Sequence, residues 1–145
     1  MLHPRVAIVL IWSVLTMAAQ PVDVLPSRAS DGAIPLHGTW SFRYLAGLDA
    51  KGEEAFRDPS FQLTGWSTIT VPGHWELQGF AEPRYADAVA EGLGLYRRTF
   101  QVPAAWRGQR VFLRFDGVLF GHEAWVNGRK VGAWNLGFNP VTYDV

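Results

Sequence analysis

The stretch Trp40-Ser41-Phe42-Arg43-Tyr44 sets aromatic and polar residues in strict alternation. Successive side chains of a strand point to opposite faces, so one face of this segment presents its three aromatic rings. The same period of two returns in residues 96–102, 111–116 and 141–145. An apolar period of two, rather than 3.6, predicts β-strands from residue 36 onward.

Turn residues separate these runs. Asn127-Gly128, inside residues 124–131, supplies the two positive-φ positions of a type I′ turn and predicts a hairpin. The one helix candidate is a single turn over residues 52–57, which Asp58-Pro59 ends. Short strands separated by turns predict an all-β fold, an antiparallel β-sandwich. The run at 141–145 stops with the chain, so we expect a sandwich that is incomplete at its C-terminus.

The composition narrows the possible functions. The 145 residues suit one domain, and 13 Lys plus Arg balance 13 Asp plus Glu. A neutral chain lacks the charge that nucleic acid or an anionic membrane attracts, so neither is an expected partner. With no cysteine, the chain has no disulfide, thiolate metal site or cysteine nucleophile.

The N-terminus has the layout of a secretory signal. Arg5 precedes an apolar run over residues 6–17, and Ala18-Ala19 offers a cleavage site. We therefore predict a signal peptide over residues 1–19, outside the fold, an extended lead-in over residues 20–35, and export to the periplasm or the medium. An uncleaved anchor and a buried first strand are the alternatives.

The sequence holds few candidate metal ligands or catalytic residues. The histidines His37, His74 and His122 lack metal-ligand spacing, so no metal site is predicted, and His122 is expected to point inward as a neutral core residue. Glycoside hydrolysis needs two carboxyl groups, and four acids lie close together in the sequence: Glu76, Glu82, Asp87 and Glu91. A solvated loop rim is the favoured interpretation, and a catalytic pair is the alternative. No nucleophile elbow or phosphate-binding loop is present.

Tryptophan rings are candidate platforms for sugar stacking. The candidates are Trp66, Trp75, Trp106, Trp125 and Trp134. Two of these, Trp66 and Trp125, fall in or beside strands, so we expect them in the core with their indole N–H groups bonded locally. Trp134, beside Asn135, is the best candidate for an exposed ring.

Several ordered motifs resemble one known domain. Residues 36–42 (LHGTWSF), 71–80 (VPGHWELQGF) and 83–85 (PRY) resemble motifs of the sugar-binding domain of glycoside hydrolase family two, in its β-galactosidases. Residues 94–108 and 115–132 resemble the strands and turns that follow. The resemblance covers residues 36–145.

The resemblance implies a jelly-roll, galactose-binding-like sandwich over residues 36–145. It also implies that the acid/base and nucleophile glutamates lie in a separate catalytic barrel, so this chain holds no catalytic residue and no cofactor. Asp87 stands where β-galactosidases of the family have an Asn that reaches into the substrate pocket. A carboxylate there accepts hydrogen bonds from sugar hydroxyls but cannot donate as an amide does.

Three functions follow from this resemblance. The first is a fragment of an exported, retaining β-galactosidase, whose partners are terminal β-D-galactosides and the missing C-terminal domains of the same protein, with no membrane contact after signal removal. The fragment alone is expected to be inactive. The second is a stand-alone carbohydrate-binding module. The third is a fragment of a β-glucuronidase or β-mannosidase.

Overall fold

The computed structural model describes residues 5–12, 32–83, 92–119, 121–137 and 139–145. This part of the chain folds into strands joined by three single-turn 3₁₀ helices, Glu54–Arg57, Glu76–Gln78 and Ala104–Trp106. The strands are β1 Arg5–Trp12, β2 Gly38–Ala46, β3 Ser67–Val71, β4 Gly92–Gln101, β5 Phe112–Phe115, β6 His122–Val126, β7 Arg129–Trp134 and β8 Val141–Asp144. The all-β prediction is confirmed.

No helix among the described residues has the length and apolar character that crossing a membrane requires.

Two sheets form the sandwich. The large sheet has the order β3-β2-β4-β1-β6-β7, and the small one pairs β5 with β8. Every pairing in the described residues is antiparallel, as a jelly-roll sandwich requires. The strand around residue 42 lies inside the large sheet, where Phe42 stands opposite Tyr96.

The large sheet buries side chains on both of its faces. The first face carries the main core, in which Trp40 and Phe42 pack with Leu113 of the small sheet. This confirms the aromatic face predicted from residues 40–44. The opposite face carries a second cluster, Phe56, Leu93, Leu95 and Trp125, which Ala50, Phe61 and Trp66 of the β2–β3 connection help to cover. The β2–β3 connection therefore acts as a further layer.

Arg97 fastens that connection to the sheet. Its guanidinium, on β4, donates hydrogen bonds to the carbonyl oxygens of Phe56 at 3.5 Å, Phe61 at 3.0 Å and Pro59. The residue is 7% exposed, and burial lowers its pKa. Because one buried cation holds three carbonyls, residues 56–61 have a fixed position above the sheet.

The predicted hairpin is confirmed. Asn127 has φ 51° and Gly128 has φ 81°, the two positive values that a type I′ turn needs. The turn joins β6 to β7, and a register shift falls between Ala124 and Trp125. The predicted single helical turn over 52–57 is found as the 3₁₀ turn Glu54–Arg57.

The apolar run near the N-terminus lies inside the sheet. Residues 5–12 form β1, which pairs with β4 from Arg5↔Gln101 to Trp12↔Gly94 and with β6 from Ile8↔Val126 to Trp12↔His122. In the full chain, these residues of the signal peptide predicted over residues 1–19 are therefore paired as a strand. A continuous apolar run fits both a signal core and a strand buried on both faces, so the pattern alone does not separate them. Cleavage after residue 19 stays a prediction.

Candidate functional site

The connection between β3 and β4 carries the longest family-like motif. It begins at a cis bond between Val71 and Pro72. Gln78 then folds back onto β3: its Oε1 accepts from the Thr70 N–H at 2.8 Å, and its Nε2 donates to the Thr70 carbonyl at 3.0 Å. A second, longer bond of 3.4 Å joins Nε2 to the His74 carbonyl. One glutamine therefore replaces a strand partner for Thr70 and fixes the loop.

Aromatic packing anchors the same loop to the core. Trp75 is 2% exposed and lies 6.2 Å from Phe42 between ring centroids. Phe80 meets Phe42 edge to face at 4.6 Å. Trp75 also covers Gly94 so closely that any side chain at position 94 would collide with its ring. The glycine is thus required by the approach of the indole to β4.

The described residues on the two sides of the segment that holds Asp87 belong to the anchored loop and to β4. Pro83 follows the anchored loop, and Gly92 begins β4, where Tyr44 leaves no room for a side chain. Asp87 and Glu91 themselves lie outside the described residues.

Glu76 does not lie on a solvated rim. Its side chain is 6% exposed, and neither carboxylate oxygen has a hydrogen-bond partner among the residues that the structure describes. Burial, with the Glu76 charge as a second cause, raises the pKa of the neighbouring Tyr96. The prediction of a solvated rim therefore fails at Glu76, because the packing of Trp75 carries the next residue inward. Glu82 is exposed, as predicted.

His122 is a buried core residue, 4% exposed, as predicted. Its Nε2 shares a hydrogen bond of 2.9 Å with the Tyr143 hydroxyl, which joins the two sheets, and its ring lies 4.9 Å from that of Phe115. Burial lowers its pKa, which favours the neutral ring. Its Nδ1 is buried without a partner, so the ring is only half satisfied. Within the described residues, no three His, Cys, Asp or Glu side chains are grouped as a metal would need.

The tryptophans divide as the sequence predicts, with one difference. Trp75 and Trp125 are buried, and Trp134 is 36% exposed at the end of β7. Trp66 packs against the second cluster, but its buried Nε1 has no hydrogen-bond partner, contrary to the expected local bond. Trp134 stands opposite His122 in the register, and β7 is the edge strand of the large sheet.

A family model matches residues 34–145, which includes the anchored loop and all strands from β2 onward, and its description is glycosyl hydrolases family 2, sugar binding domain. The chain belongs to glycosyl hydrolase family 2. Its match is to the sugar-binding domain of the family.

The curated relatives are much longer proteins. A β-galactosidase of Priestia megaterium is 31% identical over 127 residues, covering 76% of this chain and 12% of that protein. One of Psychromonas ingrahamii is 30% identical and one of Arthrobacter sp. 33% identical, covering 83% and 78% of this chain. The chain spans about an eighth of the length of these relatives: 12%, 13% and 14%.

Proposed function

We propose that this chain is the sugar-binding domain of an exported β-galactosidase that hydrolyses terminal β-D-galactosides with retention. The observation that carries the proposal is the anchored loop: Gln78 and Trp75 fix the approach to the segment that holds Asp87. The similarity to β-galactosidases of three organisms supports the choice of substrate. In this proposal the domain forms one wall of the substrate pocket, and other domains of the same protein supply the catalytic carboxylates.

Asp87 has a defined role in the proposal. In this role its carboxylate accepts hydrogen bonds from galactose hydroxyls. A hydrogen bond to a charged group contributes about 1.5–3 kcal/mol, so the loss of the carboxylate weakens substrate binding about 10- to 100-fold.

The test uses the intact protein and chromogenic galactoside, glucuronide and mannoside. We expect turnover of the galactoside, a KM at least tenfold higher for Asp87→Ala, and a smaller increase for Asp87→Asn, which keeps an acceptor oxygen. The exposed Asp49 provides the control variant Asp49→Ala. Preference for another glycoside, or an unchanged KM in Asp87→Ala, would count against the proposal.

We also propose that residues 1–19 are removed during export, since the charge and apolar run before Ala18 have the layout of a signal. N-terminal sequencing of protein recovered outside the cytoplasm tests this: a start near Gln20 supports it, and an intact Met1 contradicts it. Removal would take β1 away from both β4 and β6.

A further inference from the structure

A cleft of about 500 Å³ lies on the face of the large sheet that the β2–β3 connection covers. Its lining residues come from that connection and from the β6–β7 turn: Arg57, Asp58, Pro59, Asn127, Gly128 and Arg129. The two segments touch at Gly128, where a Cβ would stand 3.5 Å from the Arg57 carbonyl oxygen and from Pro59 Cδ. Arg97 holds Pro59, so the first wall of the cleft is fixed.

Two guanidinium groups that line this cleft have no polar side-chain partner among the described residues. The Arg57 guanidinium lies over the ring of Trp125, with Cζ 4.5 Å from the centroid, and Trp125 is itself buried. The Arg57 Nε is buried and makes no hydrogen bond. Across the described parts of the chain, neither Arg57 nor Arg129 forms a side-chain hydrogen bond or an ion pair. Stacking therefore orients one guanidinium while its N–H donors stay uncommitted.

The acidic residue that lines the cleft, Asp58, is hydrogen-bonded within its own loop. The Asp58 Oδ1 accepts from both the backbone N–H and the hydroxyl of Ser60, each at 2.7 Å. These bonds, the side-chain one first, lower the pKa of Asp58, which keeps it ionised and bonded to its own loop. Two cations against one anion leave the cleft with a net charge of +1. Nearby, Lys130 pairs with Glu123, so that pair adds no net charge.

We propose that this cleft binds an oxyanion, the carboxylate or sulfate group of an acidic saccharide. A guanidinium presents paired N–H donors in a planar fork that matches two oxygens of such a group. Arg57 supplies an oriented fork, and Arg129 supplies a second cation on the opposite wall. The site is on the far side of the large sheet from the main core, where Trp75 and Phe80 of the anchored loop pack, and it does not depend on β-galactosidase activity.

The test is isothermal titration calorimetry of the intact protein at low ionic strength with sodium sulfate and sodium galacturonate, and with neutral galactose as the comparison. We expect saturable binding of at least one anion that weakens about tenfold or more in Arg57→Gln and in Arg129→Gln, because each removes charge-assisted hydrogen bonds. Arg129 is exposed and holds nothing else in the described fold, so Arg129→Gln remains informative if Arg57→Gln fails to fold. Arg107→Gln, an exposed arginine outside the cleft, should bind as the unaltered protein does.

The results distinguish sulfate esters from uronates as the ligand, and they also show whether the cleft binds an anion at all. Sulfate binding alone assigns the cleft to sulfate esters, galacturonate binding alone assigns it to uronates, and binding of both supports the shared chemistry. Absence of saturable anion binding would overturn the proposal. So would unchanged anion affinity in Arg129→Gln, or an equal loss of galactose and anion affinity in that variant, which would show that the cleft recognises the sugar ring.

Discussion

Replacing Glu76 by Gln should stabilise the domain. Glu76 is 6% exposed, and neither carboxylate oxygen has a hydrogen-bond partner within the described part of the chain. An unpaired buried ion costs several kcal/mol in proteins after relaxation, whereas an amide of the same shape that is left unpaired costs about 1–3 kcal/mol. The difference gives an expected increase in the free energy of unfolding of about 1–3 kcal/mol at pH 7.

Urea denaturation followed by tryptophan fluorescence measures this change. The midpoint should rise with an unchanged dependence on denaturant, since the substitution leaves the buried surface the same. Glu82→Gln, at an exposed position of the same loop, is the matched control and should shift the free energy of unfolding by less than about 0.5 kcal/mol. A loss of 1 kcal/mol or more in Glu76→Gln, with the control unchanged, would refute the reasoning, because it would show that the carboxylate makes favourable bonds.

Three further predictions concern the loop and the core. Gln78→Glu should lower the free energy of unfolding by about 1 kcal/mol in urea denaturation, because a carboxylate still accepts from the Thr70 N–H but cannot donate to the Thr70 carbonyl. An unchanged free energy of unfolding would argue that the Gln78–Thr70 bonds do not hold the loop. The pKa of His122 is lowered on folding, so its contribution to stability is complete above the unfolded value near 6.5 and declines as the pH falls below it. In thermal melts between pH 5 and 8, His122→Phe should therefore lose less melting temperature at low pH than the unaltered protein does. The same dependence of melting temperature on pH in both proteins would contradict the claim that His122 is buried as a neutral ring. Gly94→Val should abolish a cooperative melt, because a side chain there collides with Trp75; a native-like melt would show that the ring is free to move.

The sequence predicts those features that depend on neighbouring residues. Alternation over residues 40–44 correctly identifies the buried face of β2, since the period of a strand is a local property. The turn at Asn127-Gly128 is equally local, because both residues need positive φ. The motif over residues 71–80 correctly indicates the family, and the structure gives Trp75 and Gln78 physical roles as anchors.

Features that depend on distant packing were not predictable from pattern alone. The sequence around Glu76 predicts an exposed loop residue, and it is the packing of the loop against β4 that buries the side chain. The apolar run at the N-terminus is compatible with a signal core and with a strand, and its pairing with β4 involves residues far away in the sequence. The cleft joins residues about seventy positions apart, and no local pattern marks Arg57 and Arg129 as neighbours.

A crystal structure of the intact protein with bound galactose tests the sugar-binding account most directly. The account predicts that the Asp87 carboxylate lies within about 3.2 Å of a galactose hydroxyl, with Gln78 still bonded to Thr70. A bound galactose that no residue between Pro83 and Gly92 contacts would contradict it.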